Sequence, residues 1–362
     1  MSVLGEPANL TFDLREIPFS TRGSWLNLSP VTALHTRTDA VHLVSHRNGM
    51  HAVLRLDPLR DGDIVATSWT ASPSVFSWQA GQGIIEASFE TTDAIRLRGV
   101  GLGLQLSDAA GGLTPFTGTY LFVDPLDDAP TFTSYETGRR YRVTSRLGSV
   151  EAHGAEALGV ASRTVVLGGD GLPWEATVEE IGTAAVPISS AASFDEVASA
   201  QASAFAGFVD AIAPWRDART PAAALAAYVL WSATVAPEGF MQRESVLMSK
   251  HWMDKLWSWD HCFNALAIAP GLTGLAVDQF LAPFDHQDAS GALPDSITHS
   301  EVLRNYVKPP IHGWALRRLR ATAERPLSRP ELEEIHDRLT AWTRFWLDYR
   351  RRPGHALPYY QH

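Results

Sequence analysis

Cysteine, long apolar runs and excess positive charge are all scarce in this sequence. Its 362 residues include one cysteine, Cys262, which excludes an intrachain disulfide and is compatible with a reducing compartment. No apolar run reaches about 18 residues, the length of a membrane-spanning helix, and the first residues lack the charged and apolar regions of a signal peptide. These absences predict a cytoplasmic protein that does not bind a membrane.

The charge balance is acidic, with 30 lysines and arginines against 40 aspartates and glutamates. No basic cluster forms the stripe that a phosphate backbone requires, so nucleic acid is not an expected partner. A content of 45% hydrophobic and 19% charged residues is typical of a folded soluble protein, and the length corresponds to roughly two domains. The sequence does not determine the oligomeric state.

Metal and nucleotide motifs are absent as well. The histidines at positions 251, 261, 286, 299 and 312 form no HExxH arrangement, and Cys262 has no partner ligand. A glycine-rich phosphate loop and a GxSxG turn are also missing. We therefore expect no metal, no cofactor and no serine-hydrolase chemistry. These histidines are expected to be hydrogen-bonding or core residues.

Residues 1–190 contain short apolar or alternating segments separated by turn signals. These signals are Asn48–Gly49, Asp61–Gly62, Gly111–Gly112 and the sequence GDG that starts at residue 169. Many short strands with hairpin turns predict an antiparallel β-sandwich. Reactive side chains are not concentrated here, so we expect this domain to support or wall a neighbouring site.

The hydrophobic period changes at residue 193. Ser193 and Glu196 have the spacing of a capping box, which predicts a linker helix within residues 191–218. Residues 219–362 then contain five predicted helices without strands between them, a pattern typical of an α-hairpin array or toroid. The second of these helices is apolar almost all round, as expected of an inner helix enclosed by its neighbours. The five helices are predicted at about 220–236, 259–269, 273–287, 309–324 and 328–351.

The segment HWMDKLWSWDHCFN, residues 251–264, concentrates aromatic and polar side chains. Trp257 and Trp259 are suited to hold the apolar C–H face of a sugar ring, and Asp260 is suited to accept hydrogen bonds from its hydroxyls. Because Asp260 falls in the first turn of a helix, we expect a lowered pKa and a permanent acceptor rather than a proton donor. The alternative is that the tryptophans are core residues and Asp260 only caps the helix.

A long connection, residues 286–314, joins the third and fourth of these helices. Loops of this length in a compact domain are usually functional or disordered, and its aromatic and apolar residues favour an ordered, functional one. The loop supplies one acceptor, Asp295, and two cationic donors, Arg304 and Lys308. Their spacing allows all three to converge on one ligand.

At WSWDHCFN, GALPDS and KPPIHGW the sequence resembles glycoside hydrolase family 63, which includes processing α-glucosidase I and mannosylglycerate hydrolase, and more distantly the trehalases. The resemblance implies an (α/α)6 toroid preceded by a β-sandwich, of which this chain contains the first part. It also implies that Trp257, Trp259 and Asp260 line the pocket for the terminal sugar. The loop departs from the trehalase pattern in its arginine spacing and in Lys308 before the prolines, so a ligand role carries over better to Lys308 than to Arg304.

Enzymes of this family invert the anomeric centre with two carboxyl groups, a general acid and a general base. The resemblance places the acid in a segment like SGWDN, which follows a segment like ALPYYQH at residues 356–362, and places the base further on. We therefore predict an inverting, exo-acting α-glycosidase for terminal α-linked glucose or mannose. The chain is expected to be its N-terminal fragment, with both catalytic residues C-terminal to His362 and no activity alone.

Three alternatives remain. A trehalase-like hydrolase belongs to the same class of enzyme. A non-catalytic sugar-binding or scaffold protein would end naturally at His362. For the β domain, the separate alternative is a carbohydrate-binding module. A helical-repeat interaction module would keep its tryptophans in the core and would bind no sugar at Trp257.

Overall fold

The computed structural model describes residues 10–109, 118–156, 162–182 and 190–360. Two compact units are distinguished by their internal contacts. The first contains the described residues up to Ala206 together with Lys250–Trp252, and the second contains Gly207–Ser249 and the described residues from Met253 onwards. The predicted β part followed by a helical part is confirmed. The Gly111–Gly112 turn signal and residues 361 and 362 lie outside the described residues.

The alternating segments before residue 190 form fifteen strands within the described ranges, and every pairing is antiparallel. Two predicted hairpin turns are confirmed, because Asn48, Gly49, Asp61 and Gly62 all have the positive φ that a type I′ turn requires. The strands are β1 (Leu26–Ala33), β2 (Thr36–Ser45), β3 (His51–Arg60), β4 (Asp63–Ile64), β5 (Ser68–Ala71), β6 (Phe76–Ala80), β7 (Gly83–Thr91), β8 (Ala94–Val100), β9 (Gly103–Asp108), β10 (Thr119–Val123), β11 (Pro130–Ser134), β12 (Arg139–Leu147), β13 (Val150–His153), β14 (Thr164–Leu167) and β15 (Trp174–Ile181).

Two sheets divide these strands. One has the order β1-β2-β3-β9-β14-β13 with β4 paired to β3, and the other has the order β10-β11-β12-β15-β8-β7-β6-β5. Leucines and valines of the first sheet share one apolar core with Phe76, Trp78, Phe132 and Tyr141 of the second. Two antiparallel sheets around a common core form the two-layer arrangement of a β-sandwich.

The helices follow the predicted order. The first begins with the predicted capping box, in which the Glu196 amide donates to the Ser193 hydroxyl at 3.3 Å and the Ser193 amide donates to the Glu196 carboxylate at 2.8 Å. A second capping box, of Ser328 and Glu331, starts the last helix. The helices are α1 (Phe194–Ile212), α2 (Ala223–Ala233), α3 (Asp260–Ile268), α4 (Thr273–Leu281) with a 3-10 helix at Ala282–His286, α5 (His312–Thr322) and α6 (Arg329–Asp348). No described helix is both long enough and apolar enough to span a membrane.

The prediction of helices without intervening strands is wrong. Several two-residue strands lie between them, and segments this short have no apolar period by which a sequence could reveal them. In addition, α2 begins at Ala223, three residues after Thr220, and the Thr220 hydroxyl accepts a hydrogen bond from the Asp217 amide at 2.8 Å. The short strands are β16 (Thr234–Val235), β17 (Ser245–Val246), β18 (Leu256–Trp257), β19 (Ser296–Ile297) and β20 (Val302–Leu303).

In the second unit, α3 packs against α4 and α5. Ala265 and Ile268 on α3 are fully buried, whereas Phe263 is 48% exposed and Ala267 is exposed too. Part of the apolar surface of α3, which the sequence pattern assigns to an inner helix, is therefore exposed in this chain. The reason is that α4 and α5 cover only part of its apolar surface.

Candidate functional site

A small sheet joins the WSWD segment to the long loop. β18 pairs with β19 in the register Trp257↔Ser296, and β19 pairs with β20. The backbone amide of Asp295 also donates to the Leu303 carbonyl at 2.8 Å. These backbone pairings order the loop and place Asp295 beside the entry to α3.

The same loop packs against α6 through a glycine. Gly291 has a φ of +88°, and a Cβ added at this position would collide with the Ala341 carbonyl oxygen on α6. Only glycine combines this backbone conformation with so close an approach. A side-chain bond from Gln287 Nε2 to the Arg338 carbonyl at 3.0 Å holds the loop to the same helix. The GALPDS motif is therefore fixed at its glycine end.

Three predicted site residues lie in contact. Lys308 Nζ is 2.9 Å from Asp295 Oδ1 and 4.8 Å from the centroid of the Trp257 ring. Asp295 is 4% exposed and Lys308 is 8% exposed, so the ion pair is shielded from water. A shielded pair of this kind is expensive to disrupt, since either charge left alone would be buried without compensation.

Asp260, the first residue of α3, is half-buried and close enough to Lys308 for the ammonium group to affect its pKa. Burial raises the pKa of Asp260 above 3.8, by more than its backbone hydrogen bond and Lys308 lower it. The predicted lowering of this pKa is therefore wrong, because loss of water outweighs the helix terminus. We refer to Trp257, Asp260, Asp295 and Lys308 as the polar cluster.

Arg304 has other partners. Its Nη2 donates to the His286 carbonyl at 2.6 Å, and its Nη1 lies 3.7 Å from Asp288 Oδ2. Both partners lie at the start of the loop, and the Arg304 side chain is exposed. These contacts connect Arg304 to the loop itself and do not bring it into the polar cluster.

Trp259 occupies the N-cap position of α3 and is partly exposed. Its ring lies 6.2 Å from that of Phe263, and the Phe263 ring lies 6.0 Å from that of Trp314 on α5. Sequence reasoning did not select Phe263 or Trp314 as site residues. The available signals were the i, i+4 spacing of Trp259 and Phe263 and the presence of Trp314 in KPPIHGW.

Two buried histidines hold the backbone of the WSWD turn. His312 Nε2 donates to the Ser258 carbonyl at 2.9 Å, and His261 Nδ1 donates to the Trp257 carbonyl at 3.2 Å. Both rings are fully buried, and burial lowers the pKa of each to about 4. The prediction that these two histidines are hydrogen-bonding or core residues is confirmed. His312 links the KPPIHGW motif to the WSWD motif, a role that sequence reasoning missed.

We expect the second unit to lose stability as the pH falls from 6.5 towards 4. His261 and His312 have an ordinary pKa of 6.5 and a folded pKa of about 4, so the unfolded chain binds more protons in this range. Their contribution is complete above pH 6.5 and decreases as the pH falls, by up to about 3 kcal/mol for each residue. The free energy of unfolding in urea, measured at half-unit pH steps, tests this. His312→Gln should remove its own share of the dependence, up to about 3 kcal/mol, while His336→Gln, at an exposed position, should leave it unchanged.

A cavity of about 780 Å³ lies between α5 and α6. None of the predicted site residues lines it, and its walls include Leu316, Arg320, Leu332, His336, Leu339 and Thr343. Among the residues that the structure describes, no three or more His, Cys, Asp and Glu side chains are grouped to hold a metal ion.

Residues 253–362 match one protein-family model, described as the mannosylglycerate hydrolase MGH1-like glycoside hydrolase domain. This part of the chain is similar to glycoside hydrolases of that type. The matched segment contains the whole polar cluster, together with Trp259 and Trp314. The resemblance stated from the sequence motifs is therefore confirmed for this segment. No curated protein matches the chain significantly.

Proposed function

We propose that the polar cluster and Trp259 bind the terminal sugar of an α-linked glycoside. We further propose that the chain is part of an inverting, exo-acting α-glycosidase that removes terminal α-linked glucose or mannose. One observation carries this proposal. A half-buried carboxylate, Asp260, lies close enough to Lys308 for the ammonium charge to lower its pKa, and Lys308 lies 4.8 Å from the Trp257 ring, within a segment that matches a glycoside hydrolase domain. Carboxylate, ammonium and indole together provide an acceptor, a donor and an apolar face, which a pyranose ring requires.

The ion pair with Asp295 gives Lys308 a fixed position. An ammonium group carries three donor hydrogens, so Lys308 held by Asp295 is a donor in a fixed position for a sugar hydroxyl near Asp260. Asp260 then accepts from the same sugar, so the hydroxyl pattern of a single ring is recognised by both charges. Recognition of one terminal ring is the property expected of an exo-acting enzyme.

We also propose a domain organisation for the chain. We assign residues 1–190 to a β-sandwich domain, 191–218 to a linker helix and 219–362 to the first helices of an (α/α)6 glycosidase domain. The general acid and base are assigned to positions C-terminal to His362, as the family resemblance implies, so residues 1–362 are expected to bind sugar without cleaving it. A cytoplasmic location is proposed from the single cysteine.

Titration calorimetry and turnover assays with the full chain test this proposal. We expect methyl α-glucoside or methyl α-mannoside to bind, and no hydrolysis of aryl α-glucosides, aryl α-mannosides or trehalose. Hydrolysis that is abolished by Asp260→Asn would instead assign the general acid to Asp260. Preferential binding of trehalose would favour a trehalase-like enzyme. Absence of binding by all of these sugars would contradict a sugar site and favour an interaction module.

A further inference from the structure

A short excursion of the chain enters the first unit just before the WSWD turn. Lys250–Trp252 belong to the first unit, although the residues on both sides of them belong to the second. The base of the excursion is closed by a backbone hydrogen bond, in which the Met248 amide donates to the Lys255 carbonyl at 3.0 Å. We call residues 248–255 the anchor loop and Lys250–Trp252 its tip.

The side chain at the start of the tip is a buried lysine. Lys250 is 2% exposed, and its Nζ donates to the Ser20 hydroxyl at 2.9 Å and to the Ser24 carbonyl at 2.5 Å. Both acceptors are neutral. Burial, together with the charge of Arg47, holds the pKa of Lys250 well below 10.5. Because burying an amine is costly unless hydrogen bonds compensate it, these two bonds fix the side chain in one place.

The backbone of the tip is held as well. Asn27, on β1, is fully buried, and its Nδ2 donates to the Lys250 carbonyl at 2.6 Å. The same Nδ2 lies 2.9 Å from His46 Nε2, which fixes the orientation of the amide. At the other end of the tip, the Trp252 ring lies 5.5 Å from the His35 ring. Lys250 is therefore bound to the β-strand unit through both its amine and its carbonyl.

The anchor loop ends where the proposed sugar site begins. β18, formed by Leu256 and Trp257, starts at the residue after the loop, and Asp260 begins α3 three residues later. Groups that recognise a ligand must be held to within about 0.5 Å of their productive positions. The connection from the tip to Trp257 is only a few residues long, so a displaced tip would displace the start of the site.

We propose that Asn27 and Lys250 are positioning residues for the sugar site, because they fix the tip of the anchor loop and thereby the places where β18 and α3 begin. This inference rests on the proposed function, since it assigns two further residues to the same site. Neither residue contacts the sugar. The first unit then contributes to sugar binding through the anchor loop, without supplying a ligand-binding side chain of its own.

Hydrogen exchange and titration calorimetry on the full chain test the anchor. Asn27→Ala removes the bond to the Lys250 carbonyl, and Lys250→Met removes the amine but keeps an unbranched side chain. In both variants the amides of residues 256–264 should exchange about three- to tenfold faster, the effect of one lost hydrogen bond on a local opening. The affinity for a methyl α-glycoside should fall by up to the same factor, because the binding-competent arrangement is less populated. Lys255→Met, at the base of the loop, is the control and should change neither.

A milder variant covers the case in which a buried substitution prevents folding. Trp252→Ala removes the ring contact with His35 at a position that is 41% exposed, so it leaves no buried polar group unpaired. We expect about two- to fivefold faster exchange of residues 256–264 and a similar loss of sugar affinity.

The outcomes separate the anchor from the underlying site. If the variants lower only the free energy of unfolding of the first unit, and exchange of residues 256–264 is unchanged, the residues are merely structural and the proposal is wrong. Faster exchange with unchanged sugar affinity would also overturn it, because the site would then tolerate a released loop. If the unmodified protein binds no methyl glycoside, the proposed function fails, and the exchange rates still decide whether the tip fixes the start of α3.

Discussion

Asp295→Leu is expected to destabilise the second unit by about 3 kcal/mol, the lower end of the range for breaking a buried ion pair. The cause is the Lys308 ammonium, which is 8% exposed and loses the carboxylate that lies 2.9 Å away. We expect a value at the lower end of this range because Asp260 still attracts the Lys308 ammonium group. Lys308→Met is expected to cost a similar amount, since it leaves Asp295 buried without a partner. Urea unfolding followed by circular dichroism at pH 7.5 measures both changes.

The double variant Asp295→Leu with Lys308→Met is the critical comparison. Replacing both charges of a buried ion pair with apolar groups is often neutral. The double variant should therefore lose less free energy of unfolding than either single variant. Asp337→Asn, at an exposed position, is the matched control and should change stability by less than about 0.5 kcal/mol. Additive losses in the double variant would show that the two residues stabilise the unit independently and that the ion pair is not the cause.

Asp260→Ala is expected to reduce the affinity for a methyl α-glycoside by about 100-fold. Two hydrogen bonds from sugar hydroxyls to a carboxylate account for roughly 3 kcal/mol, since charge-assisted bonds contribute about 1.5 kcal/mol or more each. Asp260→Asn should show a smaller loss, because an amide oxygen still accepts but carries no charge. Titration calorimetry measures these affinities, and an unchanged affinity in Asp260→Ala would remove Asp260 from the site.

The thermal stability of Asp260→Asn tests the role of Asp260 independently of sugar affinity. Burial raises the pKa of Asp260, so its ionised form is less favourable in the folded state than in the unfolded state at neutral pH. Asp260→Asn should therefore leave the melting temperature unchanged or raise it, even as sugar affinity falls. If Asp260 is a functional charge, its replacement should lower sugar affinity and raise stability. If Asp260 only caps the helix, its replacement should lower the stability of the protein. A lowered melting temperature would support the capping alternative.

Local patterns in the sequence were sufficient for much of the fold. Hairpin dipeptides such as Asn48–Gly49 require positive φ, and capping boxes such as Ser193 with Glu196 satisfy orphan amides, so both act through neighbouring residues alone. The WSWD segment and the family match of residues 253–362 are likewise found in the sequence alone. These features do not depend on distant contacts, which is why a sequence can reveal them.

Other features were decided by the tertiary structure. The strand pair of Trp257 with Ser296 joins residues that are far apart in the sequence, and no local period marks β18 or β19. The pKa of Asp260 is raised because burial, which depends on the whole fold, exceeds the effect of the helix end. Arg304 and Lys308 are both cations of one loop, and the structure pairs Lys308 with Asp295 and Arg304 with Asp288.

The sequence by itself therefore determined the β part followed by helices, the hairpin turns, the capping boxes and the kind of chemistry available to the protein. The tertiary structure decided which polar residues meet, how much water each one keeps, and that Phe263 and Trp314 lie side by side on the surface. The physical reason is that hydrogen bonds of caps and turns are made within a few residues, whereas burial and charge pairing are set by packing between distant segments.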